Sequence, residues 1–238
     1  MSSPRQFAKF VHDQRFKRRL KLWIGLGVGV LVVALAVFLV WLFLLSTPFS
    51  AEETVVEGEQ LLTSDAIKKA AAVPKNVPLA RLNTGAIRER VEELPEVRSA
   101  EVKVDYPNTV RIQVSERVAV YQLAKDGAFV WIDAEGMEFR AGQARAKSLP
   151  EAKLTRDDTR IRRDVATVAT HIPEAAKKQI TLIRAKSVDR IEVSLADRRS
   201  IVWGSADESE LKSEVLEALL SVDAKVYDVS APTHPTTK

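Results

Sequence analysis

The sequence predicts an α+β protein carried on one membrane-spanning helix, and three observations predict it. A run of 23 residues, 23–45, holds only Leu, Val, Ala, Ile, Phe, Gly and two Trp, without a charge. Residues 54–117 then read as strand, helix, helix, strand, strand. A second series, to residue 229, is rich in short alternating strands with two helices among them.

At about 1.5 Å per residue, a helix over 23–45 spans roughly 35 Å, enough to cross a hydrocarbon core. Other backbone conformations would leave N–H and C=O groups unpaired in lipid. Trp23 and Trp41 stand near its ends, where amphipathic rings favour the headgroup level. A core helix of a soluble protein rarely runs this long with every face apolar. Ser46, Thr47 and Pro48 end the helix, since proline does not continue it.

Before the run come Arg5, Lys9, Arg15, Lys17, Arg18, Arg19 and Lys21 against one acid, Asp13, a balance of 7 − 1 = +6. The whole chain carries +4, so the remainder is 4 − 6 = −2. The basic character therefore belongs to residues 1–21, with Arg18, Arg19 and Lys21 at the membrane surface. The positive-inside bias puts that tail in the cytoplasm and everything after the helix outside. A cleaved signal peptide is the rival reading, but its apolar core is shorter, and no small-x-small cleavage site follows Leu45. The tail lacks interleaved aromatics or a known motif, so nucleic acid is not implied. The chain has no cysteine, so each outer domain must stand on its own core.

The first outer unit opens on a strand at 54–56, closed by Glu57-Gly58. Thr63 or Ser64 caps a helix through Ala72, with Asp65 in its first turn. A second helix, 84–93, carries Ile87, Val91 and Leu94 on one face, and Pro95 stops it. Ala100, Val102, Val104 and Tyr106 alternate, Pro107-Asn108 turns the chain, and Val110, Ile112 and Val114 alternate back. The order β-α-α-β-β gives two helices on one face of a three-stranded sheet.

Further on, strands are expected at 118–124, 129–133 and 137–139, with turns at Asp126-Gly127 and Glu135-Gly136. Residues 141–159 read as polar or irregular, and 160–171 as helix. Strands follow at 179–184, 190–195 and 200–203, the last two joined by a longer or bulged loop. A helix over 207–222 carries Leu211, Val215, Leu216 and Leu219 on one face. The last strand is 226–229, and 231–238 reads as a frayed tail.

The motifs L-P-x-V-x-x-A-x-V, from Leu94 to Val102, and P-x-T-V-x-I-x-V-x-E-R, from Pro107 to Arg117, closely resemble the POTRA domain of the FtsQ/DivIB bacterial cell-division family. Val130-Trp131-Ile132-Asp133-Ala134-Glu135-Gly136 is similar to that family's V-D-x-x-G hairpin. The resemblance implies a cytoplasmic tail at 1–21, an anchor at 22–45, a POTRA domain at 50–118, a β domain at 119–230 and a C-terminal tail at 231–238. It also implies a non-enzymatic divisome scaffold in the bacterial inner membrane, at the septum. Such a scaffold bridges early and late division proteins and helps control septal peptidoglycan synthesis.

Catalytic chemistry finds no support in the residues. His12, His171 and His234 are scattered, no G-x-S-x-G or S-x-x-K occurs, and no Gly-rich phosphate loop is present. Adjacent acids such as Glu92-Glu93 and Asp157-Asp158 diverge on a helix surface. Neither a cofactor nor a small-molecule substrate is expected, and function must lie in surfaces.

Small α+β domains bind partners by lending a sheet edge. Two edges are candidates: the 100–116 hairpin and the strand 226–229. The family resemblance maps one partner-recruiting patch onto Ser99, Val102 and Val104. It makes the last strand an edge that receives a segment of an FtsB-like subunit, engaging Val226, Tyr227, Asp228 and Val229. Backbone through Ser230 and Ala231 is expected to be free for that segment, with Pro232 ending the ladder. FtsB/FtsL-like and FtsW/FtsI-like proteins are the implied partners. The alternative is a single-pass sensor or envelope-assembly protein with a POTRA-like domain. The short basic tail leaves such a sensor no room for an output domain.

Overall fold

A computed structural model describes residues 23–42 and 49–238. The basic tail, with Arg18, Arg19, Lys21 and His12, and the helix stop at Ser46–Pro48 lie outside the described residues. The apolar run forms helix α1 (Trp23–Leu42), none of it buried inside the protein. Trp23 and Trp41 lie at its ends with exposed rings.

The first folded domain follows the predicted order: β1 (Glu53–Glu57), α2 (Ser64–Ala71), α3 (Thr84–Glu92), β2 (Val97–Asp105) and β3 (Thr109–Glu116). Thr63 caps α2 by accepting from the Ala66 N–H. Asn83, a cap not read from the sequence, does the same for α3 through Ala86. The sheet order is β1-β3-β2, with β1 parallel and β2 antiparallel to β3. Val110, Ile112 and Val114 of β3 meet Ile67 and Ala71 of α2 and Ile87 and Val91 of α3 in one core. β2 starts three residues earlier than the alternation indicates, because a bulge between Val97 and Ser99 resets its register.

The second domain comprises β4 (Tyr121–Lys125), β5 (Ala128–Ile132), β6 (Glu138–Gly142), β7 (Glu151–Leu154), α4 (Thr159–His171), α5 (Glu174–Lys177), β8 (Ile180–Ser187), β9 (Arg190–Leu195), β10 (Ser200–Gly204), α6 (Ser209–Leu219), β11 (Val226–Asp228) and β12 (Thr236–Thr237). They form one sheet of nine strands, ordered β12-β11-β10-β9-β8-β7-β4-β5-β6. Ile161, Val165, Ala166, Val168 and Ala169 of α4, with Leu216 of α6, belong to the core cluster of this sheet.

Four expectations are corrected here. The stretch 141–159 is not irregular throughout: β7 lies inside it, parallel to both β4 and β8, in the middle of the sheet. Buried Gln122 holds the approach to β7, donating to the Ala146 and Leu149 carbonyls at 2.7 and 2.8 Å and accepting from the Ala146 N–H. Val118 is not in a strand and is 77% exposed, because 117–120 is the crossing between the two domains. On α6 the fully buried residues are Ser209, Lys212 and Leu216, while Leu211 faces out. The Lys212 ammonium is held inside by donation to the Ser205 carbonyl at 2.8 Å, and burial pulls its pKa down. Lastly, the tail is not frayed: Pro232 is buried, and β12 returns antiparallel along β11. The loop between β9 and β10 is irregular as expected, with positive φ at Asp197 and Arg198.

Candidate partner-binding surfaces

The two sheet ends hold the sequence-predicted partner-binding residues, and the junction between the domains brings two of the sequence motifs together. At the first end, β2 pairs with β3 alone among the described residues. The Ala100 N–H donates at 3.0 Å to the Glu92 carboxylate of α3, so it points away from β3. Backbone direction repeats every second residue in an antiparallel strand, so the N–H groups of Val102 and Val104 point the same way. Their side chains are half-buried and pack against the core cluster, whereas Ser99 is exposed. Ser99, Val102 and Val104 therefore lie along one strand but present different things: a hydroxyl to solvent, and an edge backbone over half-covered valines. Glu101 and Lys103 pair at 2.8 Å on the opposite, solvent-facing side.

At the second end, the alternation of 226–229 is as predicted. Tyr227 and Val229 are buried, and Val226 and Asp228 half-buried. The Tyr227 hydroxyl donates to the Val222 carbonyl at 2.9 Å, tying the strand to the segment after α6. The expected free backbone is absent. β10 takes one side of β11 in parallel register, and β12 takes the other, with Tyr227 opposite Thr237 and Asp228 opposite Thr236. The N–H groups of Lys225 and Val226 donate to the Lys238 carbonyl, and the Lys238 N–H returns a bond to the Val226 carbonyl at 3.0 Å. The Ser230 N–H and hydroxyl both donate to the Asp228 carboxylate, and the Ala231 carbonyl accepts from His234. Ser230 and Ala231 thus form a turn, not an open ladder. That turn lies so close to β10 that a Cβ on Gly204 would sit 2.9 Å from the Ser230 Cβ. Pro232 ends nothing; it anchors the turn.

The junction was not singled out from the sequence, though both of its motifs were. Glu116 accepts three backbone N–H bonds, from Gln60, Leu61 and Leu62 at 3.0, 2.6 and 2.9 Å. Its neighbour Arg117 reaches into the second domain, donating to Asp133 Oδ2 at 2.5 Å and to the Pro95 carbonyl at 3.2 Å. The other Asp133 oxygen accepts from the N–H groups of Glu135 and Met137, closing the β5–β6 turn. At Gly136 in that turn, φ is +78° and a Cβ would meet the Arg163 amide at 2.6 Å, so only glycine fits. Arg98 also pairs with Glu135 across the junction. The E-R and V-D-x-x-G motifs are therefore two halves of one contact.

His171 bonds the Thr167 carbonyl within its own helix and His234 neighbours Thr233, and among the described residues no group of three His, Cys, Asp or Glu could hold a metal.

An apolar helix fit to span a membrane, followed by two α+β domains joined by polar contacts that include Arg117–Asp133 and Arg98–Glu135, is the layout of a single-pass membrane protein. Comparison with known proteins places it more closely. Residues 49–117 match the FtsQ-type POTRA domain. The chain is 32% identical over 219 residues to the cell division protein FtsQ of Streptomyces bingchenggensis, covering 87% of this chain and 83% of that one. It is 35% identical over 222 residues to FtsQ of Mycobacteroides abscessus, covering 90% and 70%. Among solved structures, the major extracytoplasmic domain of the division protein DivIB from Geobacillus stearothermophilus matches at 15% identity with a TM-score of 0.36, covering 45% of this chain and 93% of that one. The chain belongs to the FtsQ family of cell division proteins.

Proposed function

We propose that this chain is a non-enzymatic scaffold of the division machinery. Its basic tail lies in the cytoplasm and its two folded domains lie outside the membrane, at the septum. It recruits extended segments of FtsB/FtsL-like partners by strand addition and links them to an FtsW/FtsI-like septal synthase. The observation that carries the reading is the bare side of β2 in an FtsQ-family chain. There the N–H groups of Val102 and Val104 face outward beside half-buried apolar side chains. Backbone donors of that kind give affinity to an incoming strand, and the valines and Ser99 give it selectivity. Asp228 and Val226 would serve the same purpose at β11 once β12 has left it.

A fluorescent fusion to the full chain is expected to concentrate at midcell during septation, with reporters on the two ends showing the N-terminus inside. Uniform membrane signal through the cycle would refute the scaffold. The 46–238 fragment, assayed pure, should neither cleave nor polymerise peptidoglycan.

A further inference from the structure

We propose that β12 is a displaceable plug: the chain closes its own sheet end until an extended partner segment replaces Thr236–Thr237 along β11. The proposal rests on the strand-addition reading above and adds the step that precedes it. Three observations support it. First, β12 is only two residues long, and both are exposed, so its side chains bring no core with them. What holds it is backbone bonding, in the pairing with β11 and at the Lys238 amide and carbonyl beyond it. Second, the strand it covers does not depend on it. Tyr227 and Val229 are buried in the main core, β10 pairs with β11 on the other side, and the Val229 N–H donates to the Val202 carbonyl. Removing β12 therefore opens an edge without dissolving the strand behind it.

Third, the plug is a poor fit at one position. Thr237 stands opposite Tyr227, so the two side chains share a face of the sheet. Val222, whose carbonyl binds the Tyr227 hydroxyl, adjoins that face and is 47% exposed. A partner segment with a large apolar residue at the Thr237 position reproduces the backbone bonds and also covers Val222, which threonine leaves in water. The partner chemistry is thus an extended segment running antiparallel to β11, apolar opposite Tyr227 and polar at its two neighbours.

Because the chain has no native cysteine, the plug can be fastened cleanly. Asp228 and Thr236 face each other in register, a spacing a disulfide spans. Asp228→Cys with Thr236→Cys replaces the chromosomal copy in the full chain, and closure is read by gel mobility. Cells carrying the closed bond are expected to stop septating and grow as filaments, and added reductant should restore division. The same double variant held in reductant is the reference for division, because Asp228 accepts both bonds of the Ser230 turn and each substitution is then present in both arms. Normal division with the bond closed overturns the plug. In that case Thr237→Pro tells whether the edge reading survives. The Thr237 N–H points away from β11, since Val226 and Lys238 form the mutually bonded pair. If Thr237→Pro blocks division, a partner adds to the far side of β12 and the edge reading stands without a plug. If Thr237→Pro also divides, strand addition at this end is wrong as well.

Discussion

β2 and β11 close their sheets in opposite ways. β2 runs nine residues, and beyond the Glu92 contact at Ala100 no strand among the described residues pairs with its far side. β11 runs three residues, is packed hard on one face, and is covered by the chain itself. Unprotected edges invite uncontrolled pairing, and proteins blunt them with charge, brevity or a cover. β2 uses charge, through the solvent-facing Glu101–Lys103 pair and the carboxylate of Glu92; β11 uses brevity and a cover. A bare edge is open to a partner at all times, while a covered one adds a step that can be controlled.

Truncating the inward side chain of each strand separates β11 from β2 most strongly. Tyr227→Ala should cost about 3–5 kcal/mol, as large aromatic deletions in cores do. Val102→Ala, half-buried, should cost about 1 kcal/mol. Denaturant melts of the detergent-purified chain would measure both, and equal losses would mean that the two strands are seated alike. Next in size is the backbone. Val102→Pro removes an N–H that faces outward, which an edge strand tolerates, so recruitment of division partners should fall while the melt moves little. A melt lowered by several kcal/mol would place that N–H inside the ladder instead. Amide exchange sharpens the other end. The N–H groups of Val226 and Asp228 face β12 and should exchange at least ~10-fold faster than that of Tyr227, which faces β10, because lifting the plug is a local opening. Equal protection would make β12 part of the core unit. The smallest effect is expected at exposed Ser99. Ser99→Arg should stay within about 0.5 kcal/mol of wild type in stability and show itself only as weaker partner recovery.

The sequence carried much of this architecture for physical reasons that differ along the chain. The anchor is legible because composition alone decides it, and β2 and β3 because one buried face forces alternation. β7 was not legible: Glu151-Ala152-Lys153-Leu154 shows neither a β-branched run nor strong alternation, and its place between two parallel neighbours comes from the fold around Gln122. The burial of Lys212 was not legible either, since a charge at helical spacing reads as solvent-facing unless a carbonyl such as that of Ser205 is known to wait for it. The buried face of 226–229 was readable, but its cover was not: Thr236-Thr237 is too short to carry a pattern. Pro232 looked like a terminator because the turn it anchors depends on Asp228 and His234.

Glu116 and Arg117 have a mechanical consequence. Being neighbours at the end of β3, they act in opposite directions: one holds the 60–62 loop of its own domain, the other holds Asp133 of the next. Such an arrangement is a rivet, with no flexible length between the two plates it joins. A partner that pulls on β3 through β2 is therefore expected to load the β5–β6 turn through Arg117 and Asp133. Lengthening the joint by a single residue after Glu116 would leave both domains folded and let the signal dissipate in the slack.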